Sequence, residues 1–249
     1  MEKTEKNFKT ICVLGGISTS IVLLGILLDM AVGMVTGGDV SALPQTAVER
    51  YNQLQENPLL GLYNLDLLNI INQIIFIPAY FALYVVHRKT NNTFALLALI
   101  VFLVGTTIFV AGNTALTLLD LSNKFALATT ETQKMLFTAA GEAMLAKGAH
   151  GSFSVFLGFA IPTVAGILMS WVMVKGQLFN ITFSAIGMAG NALMLIYTVI
   201  ITFVPSASQF ALVLAMPGGL MVIAWMIMII ISFFKLCNSY VTSDFISYS

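Results

Sequence analysis

Asp66, Asn69, Gln73, Tyr80 and Tyr84 interrupt a stretch that is otherwise Leu, Ile, Phe and Ala. At about 100° per residue they fall within roughly 60° of one another on a helix, forming one polar stripe. Amides and phenols in such a row can hydrogen-bond a solute, and a carboxylate can hold a cation or a proton. Asp29 and Asp120 lie toward the same ends of neighbouring apolar stretches. Three acids at one depth raise one another's pKa unless water, a cation or a base stands among them. With Asn69, Gln73, Asn113 and Asn191 these acids outline an expected polar cavity facing outward, with Lys147 or His150 as the opposite charge. The plainer alternative is that Asp66 complements the positive end of a helix and the other acids reach interfacial water.

Covalent chemistry has little to stand on. A nucleophile needs a base beside it, and the sequence offers His150 with Ser152 and Ser154 one turn further on. A histidine at an interface ordinarily meets water, so no catalytic residue is assigned. The two cysteines, Cys12 and Cys237, form no CxxC pair, and the two histidines, His87 and His150, are expected at opposite membrane faces. No metal site and no cofactor are expected. Both cysteines fall at cytoplasmic helix ends, where no disulfide is expected.

The elements that must carry these residues follow from composition. Of 249 residues, 58% are hydrophobic and 9% charged, and mean hydropathy is +0.94. Soluble domains carry about 25% charged residues. The expected fold is all-α, a polytopic membrane helix bundle with spans at about residues 11–35, 62–86, 93–119, 151–174, 178–204 and 209–234. The first apolar run, 18 uncharged residues from Ile11 to Leu28, is too long for most signal cores and is expected to stay as an anchor. Thr46 with Glu49, and Thr130 with Gln133, have the form of capping boxes, each opening a short helix with an apolar stripe (Ala47, Val48, Tyr51, Leu54; Phe137, Ala140, Met144, Leu145). Two amphipathic helices lying flat on the outer membrane surface are therefore expected.

Lysine and arginine fix an expected orientation. With the N-terminus inside, Lys3, Lys6, Lys9, Arg88, Lys89, Lys175 and Lys235 collect on the cytoplasmic side, against Arg50, Lys124, Lys134 and Lys147 outside. Both termini are then cytoplasmic, in the cell membrane. The sixth span carries no strongly polar side chain in its core, which suits a lipid-facing or homo-oligomer-facing helix. A formal net charge of zero gives no basis for nucleic-acid binding.

Asp66-Leu67, Ala82-Leu83-Tyr84, a basic turn, and Ala95-Leu96-Leu97-Ala98-Leu99 resemble the second and third helices of the DUF4386 family of small multi-pass prokaryotic membrane proteins of unknown function. Gly176, Ala189-Gly190, and Pro217 with Trp225 are similar to that family's later landmarks. This chain departs from the family pattern where an arginine precedes the middle of helix three and an acid follows the proline of helix six; here stand Phe102-Leu103-Val104 and Gly219-Leu220-Met221. The resemblance implies fold and location and leaves activity open. Three roles remain: a non-enzymatic protein of the lipid bilayer that binds or passes a small solute, cation or lipid through a cavity open to the outside; an intramembrane hydrolase acting on lipids; and a structural subunit of a larger complex.

Overall fold

In hydrocarbon every backbone N–H and C=O must find its partner within the chain, and a sequence this apolar meets that demand with helices. The computed structural model describes residues 2–36, 43–149 and 152–247. Among them are nine α-helices, one 3-10 turn and no strand. The helices are α1 (Glu2–Thr36), α2 (Ala47–Glu56), α3 (Pro58–Tyr63), α4 (Leu67–Gly112), α5 (Ala115–Ala126), α6 (Glu131–Gly148), α7 (Phe153–Gly176), α8 (Ile181–Phe203) and α9 (Ser208–Ser247). Five helical stretches are long and apolar enough to cross a membrane: Lys6–Gly33, Leu67–Ala126, Glu131–Gly176, Ile181–Phe203 and Gln209–Asn238.

The longest of these doubles back. Asn91, at φ −150° and ψ 77°, breaks the helical backbone of α4, and its Oδ1 accepts from Phe94 N at 3.4 Å. The Tyr80 and Phe102 rings stack 3.9 Å apart, whereas a straight helix would separate residues 22 positions apart by about 33 Å. So α4 is a hairpin with arms at residues 67–90 and 92–112, turning at the basic segment Arg88-Lys89. α4 packs on α7, α7 on α8, α8 on α9, α9 on α1 and α1 on α4, closing a ring of neighbours.

At the end of the ring opposite the Asn91 turn sits a cap made from α2, α3, α5 and α6. Both capping boxes are present, Thr46 with Glu49 and Thr130 with Gln133. The apolar stripe of α2 does not lie on the membrane surface. Ala47, Tyr51 and Leu54 are buried against Leu65, Ala115, Leu118 and Leu145, because α5 and α6 offer complementary apolar faces above the ring. Tyr51 Oη donates to Phe137 O at 2.8 Å, Ala47 N to Glu142 Oε1 at 2.7 Å, and Gln55 Nε2 to Ser122 Oγ at 2.9 Å.

Two expected boundaries move. The helix expected from residue 62 begins at Leu67, because Pro58 opens a separate helix, α3, capped by Asn57, and Asp66 turns the chain with a left-handed backbone (φ 62°, ψ 19°). The helix expected to run to residue 119 ends at Gly112. Asn113 is extended (φ −67°, ψ 141°); its Oδ1 accepts from Ala115 N at 2.9 Å and its Nδ2 donates to Leu65 O at 2.6 Å. Side-chain amides that bond nearby backbone compete with the helix, and this one also ties the two ends of α4 together. α9, where a sixth span was expected, is a wall of the ring: Trp225, Met226, Ile229 and Phe233 are buried in the main core while Met216, Leu220 and Ile231 stay exposed. Glycines on the facing helices let it approach, as at Gly187, where a Cβ would lie inside 3.0 Å of the Trp225 ring.

Candidate functional site

The ring is not filled at its cap-side half. A cleft of about 490 Å³ is lined by all five long helices: Asp29 and Met30 of α1, Asn69, Asn72 and Gln73 of α4, Thr163 of α7, Asn191 of α8, and Met216, Gly219 and Trp225 of α9 among others. Phe76, Tyr80 and Phe102 also line it; their rings pack edge-on and stacked on one another. The walls are predominantly apolar, interrupted by a few amides, a hydroxyl and one acid.

The α1–α9 seam gives the cleft its shape. Near the Asn91 end the two helices are in close contact, with Gly15 against Phe233 and Gly16 against Phe234. Toward the cap they stand on opposite sides of the cleft, where Met30 (39% exposed), Leu212 (46%), Leu220 (63%) and Met216 (73%) form an open apolar rim. α8 and α9 close against each other at Gly190 and Gly218.

Three side chains at the cleft wall carry polar atoms without a hydrogen-bond partner: Asn72 Nδ2, Gln73 Oε1 and Trp225 Nε1. Asn72 is 7% exposed and Trp225 2%. Gln73 is oriented by its other end, Nε2 donating to Gly158 O at 2.8 Å. Asn72 is held against α1 where Gly25 leaves room, since a Cβ there would collide with the amide. Asn191 Nδ2 donates to Gly187 O at 2.8 Å and its amide packs on Gly166, so it joins α7 to α8 as well as lining the cleft.

Asp29, Asn69, Gln73 and Asn191, singled out in the sequence, line this cleft. Asp66, Asn113 and Asp120 lie outside it. Asp66 is buried beneath the cap, accepts from Asn69 Nδ2 at 3.1 Å and sits within electrostatic reach of Arg50. Asn113 is spent on the backbone links described above. Asp120 belongs to α5, where it pairs with Lys124 at 2.6 Å with both side chains more than half exposed. Lys147 Nζ donates to Ala111 O at 3.1 Å. His150 lies outside the described residues; Ser154 Oγ donates to Lys147 O and Ser152 caps α7 at Val155 N. Among the described residues no three His, Cys, Asp or Glu side chains gather, and Cys12 and Cys237 are free thiols.

Asp29 is tied to the cap through Tyr63, whose hydroxyl donates to Asp29 O at 3.1 Å. Burial, and then the Asp29 carboxylate, push the Tyr63 phenol well above its ordinary value. Arg50 is 4% exposed; burial pulls its guanidinium below the ordinary value while Asp66 and Glu49 oppose that.

Three residues escaped the sequence reading. Asn72 lies only about 60° from Asn69 on the helix and was within reach of a wider stripe. Trp225 is apolar by composition, and only the packing of α9 on Gly187 turns its indole toward the ring. Arg50 looked like an ordinary loop cation, and only the docking of α2 buries it.

The fold and the cleft define a multi-pass membrane protein built as a ring of helices under a helical cap. Residues 14–232 match the family described as a domain of unknown function (DUF4386), and the chain belongs to that family. No curated protein and no solved structure matches the chain.

Proposed function

We propose that the protein crosses the cell membrane six times, with both termini on the cytoplasmic side and the cap outside, and that it is a non-enzymatic binding protein. Its ligand is a small solute or lipid held in the cleft between α1, α4, α7, α8 and α9. The six crossings count each arm of α4 separately, which its fold-back at Asn91 supports. The orientation rests on the basic residues near the Asn91 turn and in the N-terminal segment.

One observation carries the binding reading. A cleft of about 490 Å³, within the range of about 300–1,000 Å³ usual for small-molecule sites, has apolar walls and a few converging polar groups. The amides of Asn69, Gln73 and Asn191 and the carboxylate-bearing Asp29 are among the polar side chains that line it, few against its apolar walls as in sites that orient a small ligand.

Two measurements test this. A single cysteine at Leu59, an 81% exposed residue of the cap, should react with an impermeant maleimide from outside intact cells; labelling only after lysis refutes the orientation. Gly219 lines the cleft with nothing within 4 Å of a Cβ, so Gly219→Phe should fill the space while the bundle folds. Native mass spectrometry of the purified chain should show small-molecule adducts that Gly219→Phe lacks. Identical adduct patterns refute the binding site.

A further inference from the structure

A charge that ends an apolar helical run marks where hydrocarbon gives way to headgroups, because its stem can lie in lipid while the charge stays wet. α9 carries no charged residue from Gln209 to Phe234, long enough to cross about 30 Å of hydrocarbon, and Lys235 is the first charge after that run. Lys175 ends the uncharged run of α7 in the same way, and Arg88-Lys89 that of the first arm of α4. Ring contacts hold these helix ends at one level: His87 meets Phe179 at 5.1 Å and Phe179 meets Phe233 at 5.9 Å. The Asn91 end of the bundle is therefore a headgroup level rich in cations.

At this end a groove of about 380 Å³ opens between the start of α8 and the later half of α9. It shares no lining residue with the cap-side cleft. Polarity is sorted along its length. Phe183, Ala224, Ile227 and Ile231 line it toward the middle of the bundle, and Asn180, Ser232 and Lys235 line its other end. Ala224 and Lys235 stand about 16 Å apart along the helix. Phe183, Ile227 and Ile231 are exposed, so the apolar part faces outward from the ring.

We infer that this groove holds an anionic phospholipid of the bilayer, its phosphate at Lys235 and one acyl chain along Phe183, Ile227 and Ile231. The inference concerns a site apart from the cap-side cleft and does not rest on the binding reading above. Among the described residues that line the groove, Lys235 alone carries a formal charge, so the charge that complements it is negative and no lining acid competes for that place. An ammonium brings three donors. Asn180 Oδ1 accepts from Thr182 N at 3.0 Å and from Phe183 N at 3.3 Å, which leaves its Nδ2 as a further donor. Ser232 Oγ donates to Met228 Sδ at 3.1 Å, a weak acceptor beside which a phosphate oxygen is a strong one. One phosphate has acceptor oxygens for all three side chains, whereas the choline of a zwitterionic head brings a second cation beside Lys235. The acyl chain covers the exposed apolar side chains without leaving hydrocarbon.

Native mass spectrometry of the full-length chain, delipidated in detergent, tests this with phosphatidylglycerol and phosphatidylcholine of identical acyl chains as the probes. Phosphatidylglycerol should bind the wild type about fivefold more tightly than phosphatidylcholine, the effect of one lysine near an anionic head. Lys235→Gln should abolish that preference. Lys89→Gln and Lys175→Gln, exposed lysines of the same end that do not line the groove, should each keep it. Ile231→Trp enlarges an exposed lining residue and should weaken phosphatidylglycerol at least about threefold, the effect of roughly one displaced methylene, with the unfolding temperature unchanged. Should Lys235→Gln not fold, the loss in Ile231→Trp locates the site instead. Equal affinities in the wild type, a preference that survives Lys235→Gln, or undiminished binding in Ile231→Trp overturns the inference. An equal loss in Lys175→Gln also overturns it, because the preference is then a diffuse attraction to the basic end. A dimer that Ile231→Trp separates, with neither lipid retained, gives the groove to a second copy of the chain and overturns it as well.

Discussion

Gly187→Ala should be among the most damaging single-methyl changes in the bundle. Gly187 on α8 faces the Trp225 indole of α9, and a Cβ there would lie inside 3.0 Å of three of its ring atoms, Cγ, Cδ1 and Nε1. The indole is 2% exposed and packed in the main core, so it yields only by forcing α8 and α9 apart or by swinging into the cleft. Overpacking of this kind costs about 1–3 kcal/mol. Gly219→Ala supplies the control, since a Cβ there meets nothing within 4 Å and relief of backbone entropy contributes about 0.5–1 kcal/mol. Both glycines are helical, so that relief is common to the two variants, which should therefore differ by about 1–3 kcal/mol, or about 2–12 °C in unfolding temperature for a chain of this size. The buried thiols of Cys12 and Cys237 supply the assay, because a thiol-reactive fluorophore labels them only as the bundle opens in detergent. Should Gly187→Ala melt at or above Gly219→Ala, the close approach of α8 and α9 would be wrong, and with it the position of Trp225 at the cleft wall.

Tyr51→Ala should release the cap, removing a side chain 1% exposed and the bond to Phe137 O at a cost of about 3–5 kcal/mol for a large buried aromatic; proteolysis confined to residues 43–66 and 113–149 would register it, and unchanged protection would refute the docking of α2. Asp120→Asn should change stability by less than about 0.5 kcal/mol and leave cleft binding untouched, since its pair with Lys124 is solvent-exposed; a loss of the small-molecule adducts in native mass spectrometry would return Asp120 to the site. Glu49 is held below its ordinary pKa of 4.5 by the backbone N–H of Thr46, then that of Gln45 and the Thr46 hydroxyl. A depressed folded value means the box contributes stability above pH 4.5, lost as pH falls through the folded value. The gap in unfolding temperature between wild type and Glu49→Gln should accordingly be present at pH 7 and close in acid, and a gap that widened in acid would contradict the cap.

Periodicity and hydropathy determined much of this protein without coordinates. The apolar runs, their length against the bilayer, the basic turn at Arg88-Lys89 and both capping boxes were legible because each is a local property: a helix satisfies its own backbone, and a cap is set by residues three apart. The stripe from Asp66 to Tyr84 was legible for the same reason, since side-chain direction repeats with the helix. What needed the tertiary structure was which stripes meet. Asp29, Asp66 and Asp120 looked equivalent by depth, yet Asp66 turns the chain beneath the cap, Asp120 rides on a separate surface helix, and only Asp29 lines the cleft. Depth is one coordinate, and convergence requires two more, which depend on where Asn113 and Pro58 restart the chain and on how α2 docks. Trp225 shows the same limit from the other side: on a helix apolar all round, no sequence period marks the inward face, and the glycines of α1 and α8 choose it by letting the backbones approach.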